Sequence, residues 1–437
     1  MFADRGALAD SPAHDLALDC LAAGIEAGRP ARAVERNCSV DGDVLRIRDA
    51  EYDLSAFDEV VLLGGGKAAD GLAAALENLL GDRISGGVVV THEPTADPER
   101  VTVREGEHPE PGEGSVAGAS AVLERAAAAD ERTLVLAAIT GGGSALLCAP
   151  AEGLSVRDLR AVTRELLDAG AAIDEVNAVR RTCSGVKGGG LAAAAAPAAI
   201  VGLLMSDVVD DDPAVIASGP TVPTETDPEV ALAVLDRYGV DLPTVGAWLR
   251  DASTTSAPDV DVDNHVLASG RDAVDAARDL AADRGYEPCV LARRLGGEAS
   301  EAGRFHAAVA RELAESGDPV EPPAVLLSGG ETTVSVTGDG DGGPNLEFAL
   351  AGAAALPDGA VLGAVDTDGS DGSTDAAGAL VDAGTVGDAD ADAASRALAE
   401  NDSYAFLDER GALLRTGATG TNVDDLRVLV VERPVRF

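Results

Sequence analysis

Lysine is almost missing from this chain. Of 33 basic residues only two are lysines, Lys67 and Lys187; the rest are arginines. Aromatic residues make up 3%, so the cores have to be built from Ala, Val, Leu and Ile. The five cysteines (Cys20, Cys38, Cys148, Cys183, Cys289) are scattered and form no C-x-x-C pair, which excludes a disulfide framework and a zinc knuckle. The five histidines show no paired metal-binding spacing. No run of 18 apolar residues escapes a polar break, and the first twenty residues carry acids, so neither a membrane span nor a signal peptide is expected. Positive charge is the largest deficit. Against 76 acidic residues the net charge is −43, and no basic face is left to displace counterions from nucleic acid.

The acids are spread along the chain and interrupted by apolar runs, such as residues 60–63 and 133–139, so this is a folded protein with a carboxylate surface and not a disordered acidic tail. Self-repulsion at that density is relieved by salt, which predicts a high-salt cytoplasm. A length of 437 residues requires more than one core. Apolar strands that end in glycine or Ser-Asp and run into helices recur through the chain, the rhythm of doubly wound α/β folding. The small, polar stretch 251–263 reads as a linker. It divides the chain into an N-terminal α/β domain, 1–250, and a C-terminal α/β module, 264–437. Residues 332–337 read as a β-branched strand.

In open α/β sheets ligands bind beyond the carboxyl ends of strands. Both lysines stand against glycines there: Gly64-Gly65-Gly66-Lys67 follows one apolar run, and Lys187 precedes three glycines. A compact ammonium on a flexible stem suits phosphate. The first loop is no Walker A motif, because Ala68 follows Lys67 and no hydroxyl stands there for magnesium. A second turn, Gly141-Gly142-Gly143-Ser144, offers backbone amides to an anion. Asp207 directly follows an apolar strand and opens an acidic run containing Asp211, a donor set suited to Mg²⁺. Asn177, Arg180 and Arg181 lie on neighbouring helical turns as a polar, cationic wall, and His108 sits in a rigid proline loop. The turn from Asp366 to Gly372, with Asp368 and Asp371, lacks the ligand order of an EF-hand and reads as a tight turn with substrate contact.

These motifs occur in one order. Gly66-Lys67-Ala68-Ala69, His108-Pro109, Thr140-Gly141-Gly142-Gly143-Ser144, Glu175-Val176-Asn177-Ala178-Val179-Arg180 and Ser184-Gly185-Val186-Lys187-Gly188-Gly189 come first. Ser206-Asp207-Val208-Val209, Ala217-Ser218-Gly219-Pro220-Thr221, Gly329-Gly330-Glu331 and the Asp366 turn follow, then Asn401-Asp402-Ser403-Tyr404 and the glycine-threonine run from Thr416 to Val423. Over nearly its whole length the chain resembles the glycerate 2-kinase family. The resemblance implies two Rossmann-like α/β domains with the active site in the cleft between them. It implies transfer of phosphate from ATP to the 2-hydroxyl of D-glycerate with Mg²⁺ or another divalent cation, in the cytoplasm, without nucleic-acid or membrane partners; a homo-oligomer is compatible with it. Lys67 matches the family's catalytic lysine. Asp207 is the second catalytic candidate and, with Asp211, the metal candidate. Gly64, Gly65, Gly66, Gly141, Gly142, Gly143, Ser144 and Lys187 fall to nucleotide and phosphate, and His108, Asn177, Arg180, Glu331, Asn345, Glu347, Asp368 and Asp371 to the substrate.

Two departures mark this sequence. The family pattern Gly-Gly-Arg-Asn-Gln-Glu reads Gly342-Gly343-Pro344-Asn345-Leu346-Glu347, and Ser-Asp-x-x-Gly-Asp carries Asp210 in place of glycine. Losing the arginine leaves a nucleotide- or glycerate-binding protein with weakened catalysis as one alternative. The pattern Gly64-x-Gly66-x-x-Ala69 leaves a nicotinamide-dependent hydroxypyruvate reductase as the other.

Overall fold

The computed structural model describes residues 1–257 and 259–432. They form two compact units, one made of Pro30–Asp207 with Asp211–Leu267, the other of Met1–Arg29, Val208–Asp210 and the described residues from Ala268 onward.

The first unit opens with the helix Pro30–Asn37 and a small antiparallel meander, β1 (Cys38–Asp41), β2 (Val44–Ile47) and β3 (Ala50–Asp53). Its main sheet holds β4 (Glu59–Gly65), β5 (Ile84–Thr91), β6 (Val101–Glu105), β7 (Thr133–Thr140), β8 (Ala199–Met205) and β9 (Val262–Ala268). The spatial order is β6-β5-β4-β7-β8-β9, and β4 to β8 pair in parallel. Counted from β4 this is 3-2-1-4-5-6, the order of dinucleotide-binding sheets. Its physical signature is β7, buried at every residue: a parallel strand covered by helices on both faces is apolar throughout and does not alternate. The connections reverse direction between β4 and β7, and the crevice above their carboxyl ends is the switch point at which such sheets bind ligands. A separate helical layer, Val156–Asp168, Ile173–Thr182, Pro228–Tyr238 and Pro243–Asp251, packs around Leu159, Leu166, Val176, Val179, Leu235 and Leu249. Ser155 and Asp158 close a capping box at its entry.

The second unit is a mixed sheet of β10 (Glu287–Ala292), β11 (Ala324–Gly329), β12 (Ala360–Asp366), β13 (Gly378–Asp382), β14 (Leu413–Leu414) and β15 (Asp425–Val431), in the order β10-β11-β15-β12-β13-β14. Only β10 and β11 are parallel. Alternation along the strands sorts the two faces. Val325, Leu327, Val428 and Val430 meet the helices Pro12–Gly28 and Gly270–Asp283, whereas Leu326, Leu362, Leu429 and Val431 meet Ala299–Ser316 and Pro344–Ala353. The Rossmann order therefore belongs to one unit, and the other is an α/β/α layer of its own topology.

The expected linker 251–263 includes residue 258, outside the described residues, and the two compact units change over at Leu267 and Ala268. Helix Pro12–Gly28 buries Leu16, Leu21 and Ile25 against β15 and β12 and so belongs with the C-terminal module. Strand β9, which begins inside the supposed linker, completes the N-terminal sheet. Residues 332–337 form no strand; Thr333 makes a single bridge to Glu298, and Val336 is 76% exposed, so β-branched composition finds no neighbour to pair with there.

Candidate active site

The switch point is built from two glycine loops laced together. Gly66, directly after β4, has φ +140°, and a Cβ there would fall 2.1 Å from Thr140 Oγ1, so only glycine lets the loop lie against the end of β7. The Lys67 amide donates to the Gly141 carbonyl at 2.8 Å, and the Ala68 amide to Thr140 Oγ1 at 3.1 Å. Thr91 Oγ1, at the end of β5, donates to the Lys67 carbonyl at 3.2 Å. Three strand ends thus fix the backbone of one lysine.

Gly142 is the second fixed point. Its φ of +77° is left-handed, and an added Cβ would stand 3.0 Å from Lys67 Cγ and 3.2 Å from the His108 ring. Its amide donates to Asp207 Oδ2 at 3.0 Å. Lys67, His108 and Asp207, 140 residues apart in sequence, therefore converge on one glycine, each partly exposed. A second imidazole, His92, lies 6.1 Å from His108 between ring centroids and is held at Nδ1 by the Gly106 carbonyl. Of the three amides expected to cradle an anion, that of Gly142 is taken by Asp207.

Lys187 does not do what its glycine neighbours suggested. It is 5% exposed, and its Nζ donates to the Ser144 carbonyl at 2.6 Å and the Leu147 carbonyl at 3.5 Å. Burial pushes its pKa down to about 8, and the charge of Arg180 adds to that shift. It is a brace for the turn that carries Ser144. Around it, Ser144 Oγ and Ser218 Oγ are 2.8 Å apart, Ser218 Oγ reaches Asn177 Oδ1 at 3.4 Å, and Arg180 Nη1 reaches the same oxygen at 3.5 Å. Ser218 was passed over in the sequence apart from its motif. It sits in a run of three left-handed residues, Ala217, Ser218 and Gly219 (φ +51°, +63° and +69°). Non-glycine residues there cost on the order of 1 kcal/mol each, and such strain collects at functional sites. Gly143 needs the same tight packing, since a Cβ on it would meet Ala217 Cβ at 2.7 Å.

The second unit brings Asn345 and Asp371 together through hydrogen bonds, and the charges of Asp368 and Glu331 act on the neighbouring Asp425 and Asp424. Asp371, 1% exposed, accepts from the amides of Asn345 and Leu346 and caps the helix Pro344–Ala353. Pro344 occupies the first turn of that helix, where its missing N–H costs nothing, so the family arginine is replaced by a residue the helix accepts. Asn345 Nδ2 bridges Asp371 Oδ1 at 3.1 Å and Asp425 Oδ1 at 2.8 Å. Glu347 is instead held by Asn401 Nδ2 at 2.7 Å, with burial raising its pKa. Asp368 accepts from the Ser370 amide in a tight turn, and Glu331 is exposed. Asp424, Asp425 and the fully buried Arg427 carry no motif that marks them in sequence. Arg427 binds Asp425 at 2.7 Å, Thr332 Oγ1 at 2.9 Å and the Gly330 carbonyl at 2.7 Å.

Among the described residues no group of three or more His, Cys, Asp or Glu side chains is arranged to hold a metal ion. Asp207 and Asp211 lie on one loop after β8, and two carboxylates fall short of a protein cage, whereas Mg²⁺ commonly takes one or two carboxylates with substrate phosphates. No described helix is long and apolar enough to cross a membrane.

Fold and site define a doubly wound α/β protein that presents one ammonium, one imidazole and one carboxylate around a glycine turn at its switch point. Comparison with known proteins gives the family. Residues 16–250 match a domain of unknown function, DUF4147, and residues 324–425 match the MOFRL family. D-glycerate 2-kinase of Thermotoga maritima is 40% identical over 380 residues, 84% of this chain and 90% of that one. Glycerate 2-kinase of Pyrococcus horikoshii is 38% identical over 433 residues, 96% and 97% of the two chains. The crystal structure of glycerate kinase from Thermotoga maritima superposes with a TM-score of 0.81 at 37% identity, covering 95% of this chain and 99% of the other. The chain belongs to the glycerate kinase family.

Proposed function

We propose that this chain transfers the γ-phosphoryl group of ATP to the 2-hydroxyl of D-glycerate, giving 2-phosphoglycerate and ADP. The convergence of Lys67, His108 and Asp207 on Gly142 carries this reading. Phosphoryl transfer is mainly positioning and charge neutralisation. The 2-hydroxyl oxygen bonds to the γ-phosphorus as the bond from that phosphorus to the β,γ-bridging oxygen breaks. Lys67 offsets charge on the transferring group, His108 orients it, and Asp207 takes the hydroxyl proton. Asp211, with the Asp207 carboxylate, would hold a divalent cation, which when bound would supply further neutralisation of phosphate charge.

A coupled assay in strong salt with ATP, Mg²⁺ and D-glycerate tests this, with the product identified by phosphorus NMR. ADP and 2-phosphoglycerate are expected in equal amounts, with no NADH oxidation on hydroxypyruvate. Formation of 3-phosphoglycerate, turnover of NADH, or glycerate binding without transfer would each replace the reading.

The acidic surface supports a high-salt cytoplasm. With a net charge of −43, most carboxylates have no cation to pair with, and arginine pairs such as Arg132 with Asp58 neutralise only a minority. Screening shortens the repulsion to a few ångströms at molar salt. The thermal midpoint is therefore expected to rise by about 10 °C or more between 0.1 and 2 M KCl. A midpoint indifferent to salt would remove this part of the reading.

A further inference from the structure

The mechanism above leaves two cations unused. Lys187 is buried and satisfied by two carbonyls, and among the described residues the half-buried Arg180 hydrogen-bonds only Thr163 Oγ1 at 3.2 Å and Asn177 Oδ1 at 3.5 Å. Among the described residues neither forms an ion pair. The contrast is Arg427, the other deeply buried cation, which holds Asp425 at 2.7 Å. In a chain of net charge −43, carboxylates were available in excess, yet two neighbouring cations are kept without one. A buried charge without a counter-charge is costly, and an anion that enters recovers that cost. Burial holds the Arg180 guanidinium below its ordinary value, in keeping with a site short of negative charge. Asn177 Oδ1, which Arg180 Nη1 and Ser218 Oγ both reach, links the guanidinium to two hydroxyls that suit a planar acid. Ser144 and Ser218 hydroxyls stand 2.8 Å apart, Ser218 is fixed by left-handed backbone, and Ser144 lies two residues beyond Gly142.

We infer that Arg180, with the Ser144 and Ser218 hydroxyls and with Lys187 as a brace, is the subsite for the carboxylate of the substrate, leaving the Lys67 side of the turn to the phosphates. The inference rests on the reading of the protein as a kinase of a small hydroxy acid and names the group that selects the acid. A guanidinium fork and two hydroxyls match a carboxylate's lone pairs, and a neutral amide cannot replace it without loss.

The test combines kinetics with calorimetric binding in strong salt. It uses D-glycerate, its neutral amide and ATP as probes, with the wild type, Arg180→Met and Arg180→Lys. Arg180→Met is expected to raise KM and Kd for D-glycerate about 100-fold, as for loss of a charge-assisted bidentate contact, while KM for ATP stays within about twofold. Arg180→Lys is expected to fall between, since a point charge replaces the fork. The wild type prefers the acid to the amide, and Arg180→Met loses that preference. Unchanged glycerate affinity in Arg180→Met, a rise confined to ATP, or preserved discrimination would overturn the inference. Should Arg180→Met not fold, Arg180→Lys and the acid-to-amide ratio decide in its place. A wild type that binds glycerate but transfers no phosphate would defeat the kinase reading alone.

Discussion

Lys67→Ala is expected to lower kcat for phosphoryl transfer by about 10²–10³, the usual cost of removing one preorganised charge from a transition state. The argument is geometric. The Gly141 carbonyl and the Thr91 hydroxyl hold the main chain of this one residue, and Thr140 Oγ1 accepts from the next amide, that of Ala68. Its stem passes the Cβ-less face of Gly142 beside His108. Such fixing places the stem of a lysine at the switch point, where sheets of this topology bind ligands. Arginine will not restore the rate, because its planar fork cannot follow the stem past Gly142 as a point charge does. Steady-state rates of Lys67→Ala and Lys67→Arg at saturating ATP decide it. Either variant keeping more than about a tenth of wild-type kcat contradicts the assignment.

Arg427→Leu is expected to destabilise the C-terminal unit by about 3–5 kcal/mol, a large part of the about 5–15 kcal/mol a domain has in total. The guanidinium is fully buried, pairs with Asp425 and lies 5.0 Å from the Phe348 ring centroid. Removing it leaves a buried carboxylate beside two more. Burial, helped by the Asp425 charge, raises Asp424 to about 8, and burial raises Asp371 to about 7. A carboxyl raised in the fold keeps a proton that the unfolded chain releases, so its share of stability is lost as pH climbs from about 4 to about 8. Arg427 lowers both Asp424 and Asp425. Without it the acids resist ionisation further, and the loss is larger at pH 8 than at pH 5. Thermal midpoints of the variant at the two pH values check the sign; an equal loss at both would refute the electrostatic account.

The site was legible wherever an apolar run ends in glycine. β4 and β7 are continuous hydrophobic segments, and the loops after them fall at the switch point as expected. What could not be read is which surfaces meet. Leu16, Leu21 and Ile25 mark an amphipathic helix, but nothing local says that its partner is β15, hundreds of residues away. The meander β1 to β3 and strand β6 are short and partly exposed, so their periodicity is weak. Lys187 shows the limit most sharply. A lysine beside three glycines suggested a phosphate ligand, and only the fold reveals carbonyls closing on its ammonium. The strain at Ala217 and Ser218 is likewise a product of packing against Gly143, invisible in two small residues.

A crystal structure with a non-hydrolysable ATP analogue tests the central claim most directly. The account predicts the terminal phosphates within hydrogen-bonding reach of Lys67 Nζ, over the turn that carries Gly142. A triphosphate seated elsewhere, with the Lys67 ammonium turned away from it, would contradict it.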